Sequence, residues 1–438
     1  MFKRSLSLIA LLVALALVAA ACGDGDDSSE ATDASASETA AEEATTTTEV
    51  VEETTTTEAA AEEPAETLLI WADERKIEPL QAVAPAFTEA TGVEVQVELV
   101  PFGDIREQFQ AAGPAGEGPD IFVGAHDWTG ELAANGVISS IDIGGISDNF
   151  VPVSLNGFNF EGQNYAIPYV TEAVAMYYNA DLVAEPPATW DDLVTSCADA
   201  AVANCLVLPG GGAATDAYHN YPFVSAFGGF IFAFDESTGF DASQVGLDSD
   251  AAIEGATFLE TQVADGVVAS TDYDTAKNLW LEGEAAYWIT GPWELGGTRE
   301  QTGIPNWDVA LIPQIGDAPA QPFVGAQGFF LSAFSENSLL AQSFLLDFLA
   351  TDETMQALYD ADPRGTAWTA VQATLSSDPQ VAVFDASAAN GIPMPNIPEM
   401  GAVWGPLGDN MLLIRNGELA AQDAMTAAAE AVRAAVEG

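Results

Sequence analysis

The chain has 438 residues, 48% of them hydrophobic, and carries 67 Asp and Glu against 10 Lys and Arg, for a formal charge of -57. The length and apolar content suit two or three domains, while the acidity excludes nucleic acid as a partner, because neutralising phosphates takes clustered cations. There is no GxxxxGK(S/T) loop, and with only two histidines, His126 and His219, histidine-based metal centres and Ser-His-Asp machinery have few parts to work with; neither a metal nor a cofactor is expected.

The amino end reads as a targeting segment. Lys3 and Arg4 form a basic start, Leu6 to Val18 an apolar core, and Ala19, Ala20 and Ala21 lead to Cys22. This resembles a bacterial lipoprotein signal, with residues 1–21 removed and Cys22 lipidated, although Ala19 stands where such signals usually have leucine. The alternative is an ordinary cleaved signal with a free Cys22. Residues 23–67 are mostly Ala, Ser, Thr, Asp and Glu, with 15 acids and no base. Such a segment cannot bury enough apolar surface to offset its ordering entropy, so 22–67 is read as a disordered tether, of roughly 35–40 Å as a flexible coil. No later stretch has the ~20 apolar residues of a membrane span.

Alternation of strand and helix begins at once. Leu68 to Trp71 is an apolar strand with Asp73, Glu74 and Arg75 past its end; Leu80, Val83, Ala84 and Phe87 recur at helical spacing up to Gly92. Pro85 should make that helix start late or kink. Val93 to Val100 alternates as a strand. Ile121 to Val123 follows a Gly-rich turn as a buried strand; Gly124 and Ala125 end it, His126, Asp127 and Trp128 lie beyond, and a short helix runs from Thr129 to Asn135. In open α/β sheets ligands lie beyond the carboxyl ends of strands, so Asp127 and Trp128 are candidate ligand groups; His126 reads as a satisfied core histidine.

Further strands are expected at 165–175, interrupted by Pro168 and with Glu172 beyond it, at 176–179, 206–208, 285–290, 309–312 and 329–332. Helices are expected from a capping box at Thr189–Asp192, and at 251–263, 275–281, 339–349 and 418–436. The aromatic stretch 218–234 reads as mostly core, as do Trp71, Trp190 and Trp307. Cys197 and Cys205, an even pair in an exported chain, suggest a disulfide; two buried thiols are the alternative. The alternation indicates an α/β protein too long for one lobe.

Several strings together resemble the maltose/maltodextrin-binding protein family of ABC importer receptors. They are LLIWAD at 68–73, GPDIFVGAHD at 118–127, YAIPYVTEA at 165–173, YYNADL at 177–182, TDYDTA at 271–276, ITGPWE at 289–294, QPFVGAQG at 321–328 and MPNIPEMGAVW at 394–404. The resemblance covers 68–438 and implies a two-lobed type II periplasmic-binding-protein fold with the ligand between the lobes. One lobe would take 68–171 and 327–375, the other 172–326 and 376–438. It implies ligand roles for Asp73, Arg75, Asp127, Glu172, Asp216, Tyr218 and Met394, and sugar stacking for Trp293 and Trp404. Where the family has a stacking Trp before Ala125 this chain has Gly124; Trp128 replaces an Arg, and Gly405 and Gly408 replace a Tyr and an Arg.

The implied function is a monomeric, lipid-anchored receptor on the outer face of the cytoplasmic membrane. It would deliver a maltose- or maltodextrin-like oligosaccharide to ABC permease subunits without catalysis. A receptor for another carbohydrate or solute is the main alternative, and a glycan-acting enzyme, which needs two carboxylates ~5–10 Å apart, a further one. The scarcity of cations argues against an anionic solute.

From residue 68 on, 52 acids face eight bases, and Lys76 and Lys277 are the only lysines there. Repulsion at that density destabilises the compact state, and salt screens it, with a Debye length of ~8 Å at 0.15 M and ~3 Å at 1 M. The melting temperature is therefore expected to rise between low salt and about 1 M NaCl, as in adaptation to a saline habitat; a flat or falling curve in a salt series contradicts this.

Overall fold

Two open sheets, each with helices packed against it, account for most of the chain. The computed structural model describes residues 67–212, 215–235, 237–316, 319–375 and 377–437; the signal, Cys22 and the tether up to residue 66 lie outside them. Thr67, assigned to the tether from composition, is instead the first residue of the Thr67–Ala72 strand. That strand pairs in parallel with Glu94–Leu99 on one side and Ile121–Ala125 on the other, and Phe323–Ser332 adds antiparallel to Ile121–Ala125. The second sheet orders Val268–Ser270, Asn204–Leu208, Ala285–Thr290, Ala175–Asn179 and Trp307–Ala310.

Each sheet buries its own core. One draws on residues between Leu68 and Val170 and again between Ala326 and Leu375. The other side is built from Val174 to Phe323 and from Val381 to Val432. The chain thus passes from one core to the other three times: between Val170 and Val174, between Phe323 and Ala326, and between Leu375 and Val381.

Pro85 neither delays nor splits the first helix, which runs from Glu74 to Thr91 through both Pro79 and Pro85. Each proline forfeits one backbone bond. Against that stand the Asp73 cap at 3.1 Å from the Arg75 amide, the left-handed Gly92 at φ 77°, and burial of Leu80 and Phe87. Pro168 likewise does not interrupt Ala166–Glu172. It pairs opposite Gly328, where the register with Phe323–Ser332 shifts, and a bulge spares the missing N–H.

The Thr189 capping box forms as expected, with the Thr189 hydroxyl accepting from the Asp192 amide and the Asp192 carboxylate accepting in return. The Trp190–Ala200 helix it starts is tied to Asn204–Leu208 by a Cys197–Cys205 disulfide, Cα atoms 5.4 Å apart. The aromatic stretch is only partly core: Tyr221, Phe223 and Phe232 are buried, but Phe230 and Phe234 are exposed, Phe234 on a hairpin formed by Phe232–Asp235 and Gly239–Val245. The long carboxyl-terminal helix starts at Ala421, and a separate helix, Trp404–Arg415, precedes it. Among the described residues no helix is long and apolar enough to cross a membrane.

Candidate ligand-binding cleft

The carboxyl ends of strands from both sheets open onto one cleft of about 640 Å³, in the range of small-ligand sites. Asp73 follows Thr67–Ala72, Asp127 follows Ile121–Ala125, and Trp293 follows Ala285–Thr290 across a Gly291-Pro292 turn. All ten candidates, Asp73, Arg75, Asp127, Trp128, Glu172, Asp216, Tyr218, Trp293, Met394 and Trp404, line this cleft.

Their carboxylates are already engaged. Asp73, besides capping its helix, accepts from buried Lys76 at 3.0 Å. Lys76 also reaches Asp362 at 3.3 Å, Asp362 pairs with Arg364, and Arg364 donates to Glu172 at 2.8 Å. Gln327 donates to the other Glu172 oxygen at 3.0 Å and accepts from the Tyr169 hydroxyl at 2.6 Å. A chain of buried charges therefore runs from the first helix to the Ala166–Glu172 crossing strand. Burial alone would raise the Asp362 carboxyl; Arg364, Lys76 and Arg75 outweigh it and hold the group below the usual carboxylate range. Burial lowers the Lys76 ammonium, and the nearby Arg364 charge adds to that.

Across the cleft, the Asp216 carboxylate accepts from the His219 backbone amide at 2.9 Å and pairs with the His219 ring at 2.7 Å. Burial would raise Asp216, but His219 brings it below its ordinary value. The Trp293 indole lies against Gly291, where any Cβ would collide with it. Its N–H donates to the Tyr273 hydroxyl at 2.7 Å, and Tyr273 donates to Glu294 at 2.7 Å, which also pairs with Lys277 at 3.0 Å. Tyr218 lies beside it, ring centroids 6.0 Å apart.

Two contacts organise the cleft walls. Trp404 donates its indole N–H to Asp127 at 3.0 Å, joining the two walls. Burial raises the Asp127 carboxyl, opposed by His126 and by this bond. Trp128, a candidate ligand group, lines the cleft but is only 7% exposed. It stacks on Phe102 with centroids 5.4 Å apart and fills the room above Gly124, where a Cβ would lie 2.7 Å from its ring. The glycine in place of a bulky residue at 124 and the indole at 128 are one packing arrangement.

A family model described as bacterial extracellular solute-binding protein matches residues 82–383. The chain belongs to this family. The maltotriose-binding protein of Pyrococcus abyssi is 30% identical over 329 residues, 72% of this chain and 69% of that one. The galactooligosaccharide-binding protein of Bacillus subtilis is 25% identical over 390 residues, 84% and 89% of the two chains. A maltooligosaccharide ABC transporter solute-binding lipoprotein of Streptococcus pneumoniae is 27% identical over 382 residues, 83% and 87%.

In this solute-binding protein the expected scarcity of cations does not extend to the cleft. Arg75, Lys76, Arg106, Lys277 and Arg364 all line it, five of the eight bases from residue 68 on. Arg106, Tyr273, His219 and Arg364 were not singled out from the sequence. The string TDYDTA contains Tyr273, and its place directly after the Asp272 helix cap was the one local signal available. His126 is a core residue, as read from the sequence: one ring nitrogen accepts from the Ala326 amide at 3.0 Å and the other donates to the Met394 carbonyl at 3.2 Å. Burial lowers its pKa, so its contribution to stability is present above the ordinary histidine range and declines as pH falls below about 6.5.

Proposed function

We propose that this protein is a lipid-anchored extracytoplasmic receptor that binds an oligosaccharide of maltodextrin type without cleaving it and passes it to an ABC permease. The observation that carries the reading is the pairing, in one cleft, of the Trp293 and Trp404 indoles and the Tyr218 ring with the carboxylates of Asp127, Asp216 and Glu172. Sugars present apolar C–H faces and hydroxyl rims; aromatic rings cover the first, and carboxylates accept from the second at about 1.5–3 kcal/mol net per charged hydrogen bond. Micromolar affinity takes only ~8 kcal/mol, within reach of such a set after ordering costs. The names of the relatives, maltotriose-, maltooligosaccharide- and galactooligosaccharide-binding, support an oligosaccharide.

The test is a thermal-shift panel of mono- and oligosaccharides, with product analysis after prolonged incubation. Stabilisation by maltodextrins with no shortened products is expected; stabilisation by galactooligosaccharides alone reassigns the sugar, and shortened products make the protein an enzyme. Anchoring is a separate expectation: Cys22→Ala should release the protein from the membrane fraction and abolish labelling by a lipid precursor. Retention of label on that variant contradicts it.

A further inference from the structure

Eight basic side chains lie among the described residues, and six of them are committed to hydrogen bonds. Lys76 holds Asp73 and Asp362, Lys277 holds Glu294, Arg299 holds Asp378 and Gln380, and Arg364 holds Glu172. Arg415 serves the Leu208, Pro209 and Ala269 carbonyls, and Arg433 holds Asp248. The two guanidinium groups that make no side-chain hydrogen bond are Arg75 and Arg106, each with only a 3.7 Å ion pair, to Asp362 and Glu131 respectively. Both line the cleft. In a chain with 67 acids, uncommitted cations are scarce, and both face the same space.

The surroundings of Arg106 explain how it stays free. Its guanidinium carbon lies 5.7 Å from the centre of the Trp128 ring, and that indole is held by Phe102 and by the space over Gly124. A ring face attracts a guanidinium without consuming its in-plane N–H donors. Glu131, the nearest acid, accepts from Gln110 at 2.8 Å through one oxygen and keeps the other 3.7 Å from Arg106, beyond hydrogen-bond reach. The donor fork is thus positioned at the Phe102 end of the cleft with its hydrogen bonds unspent.

We infer that Arg106 is a specificity-determining residue whose guanidinium fork takes a pair of adjacent oxygen acceptors on the bound oligosaccharide, with Trp128 as the platform that aims it. The inference rests on the oligosaccharide reading above. Two sources supply such a pair, the vicinal hydroxyls of a neutral sugar or the carboxylate of a uronic acid unit.

The experiment titrates the full-length protein and its Arg106→Gln and Arg106→Lys variants with maltotriose, a galactotriose and a galacturonic acid trimer, alongside melts of each unliganded form. For whichever ligand the wild type binds, Arg106→Gln should lose about 10- to 100-fold in affinity, the worth of a charged hydrogen bond, with an unchanged unliganded melt. If the source is a neutral sugar, Arg106→Lys loses nearly as much and added salt changes little, since lysine keeps the charge but not the fork. If it is a carboxylate, Arg106→Lys retains part of the affinity and binding weakens with salt. Arg106→Gln binding as tightly as wild type overturns the inference and leaves the oligosaccharide reading standing. A wild type that binds none of the three overturns both.

Discussion

Trp293→Ala will weaken binding of the cognate oligosaccharide by roughly 2–4 kcal/mol, in the range of large aromatic truncations at binding hot spots, and will leave the unliganded melt nearly unchanged. The indole is half-buried, lining the cleft on one side and touching Gly291 on the other. Its N–H bond to Tyr273 fixes its tilt, so Tyr273→Phe should reproduce a smaller part of the loss, about 0.5–1.5 kcal/mol. Asp127→Asn should cost less in first contact but blunt closure, because the bond to Trp404 already spans the walls and a ligand drives closure only through contacts that differ between states. Calorimetric titration of the three variants checks this. Unchanged affinity with a large loss of stability in Trp293→Ala would make that indole a core anchor and leave stacking to Trp404.

The second large effect concerns the buried charges. Arg364→Met should destabilise the protein by about 3–5 kcal/mol, the usual cost of leaving a buried charge without its partner. Glu172 loses its cation, while Asp362 loses Arg364 but keeps Lys76 and Arg75; both carboxylates are under 10% exposed. The pH dependence gives the sign. In the wild type Asp362 titrates below its ordinary value, so its contribution is present above about pH 4 and is lost as pH falls through the lowered value. Without Arg364, only Lys76 and Arg75 oppose burial, so the carboxyl titrates higher than in the wild type. The gap in melting temperature between wild type and variant should therefore narrow from pH 7 towards pH 4. His126 titrates in both proteins and cancels from the difference. A gap that is constant or widens on acidification contradicts the pairing.

How much of this was legible in the sequence depends on the range of the interaction. The Thr189–Asp192 box, the Asp73 cap and the Gly92 stop act within one turn of a helix, so local order reveals them. Strand–helix alternation showed that Asp73, Asp127 and Trp293 would all stand beyond strand carboxyl ends, because that position follows from α/β connectivity. The last family string supplied Met394 and Trp404, and the wider resemblance supplied Asp216 and Tyr218, which no local rule identifies. The late start expected from Pro85 and the interruption expected at Pro168 do not occur: propensity weighs backbone bonds alone. Burial of Phe87 in one case and a bulge opposite Gly328 in the other outweighed the missing N–H.

What only the tertiary structure decided is which polar groups remain available. Arg364 meets Glu172 across 192 residues of chain, and Trp404 meets Asp127 across 277. Phe102, Arg106, Gly124 and Trp128 act as one unit although no single pattern joins them. The sequence by itself determined the composition, the acidity and the two-lobed alternation, since these depend on residue type and spacing. The commitment of a carboxylate to a cation, and the lack of a side-chain hydrogen bond at Arg75 and Arg106, depend on distances of a few ångströms between segments that only the folded cores bring together.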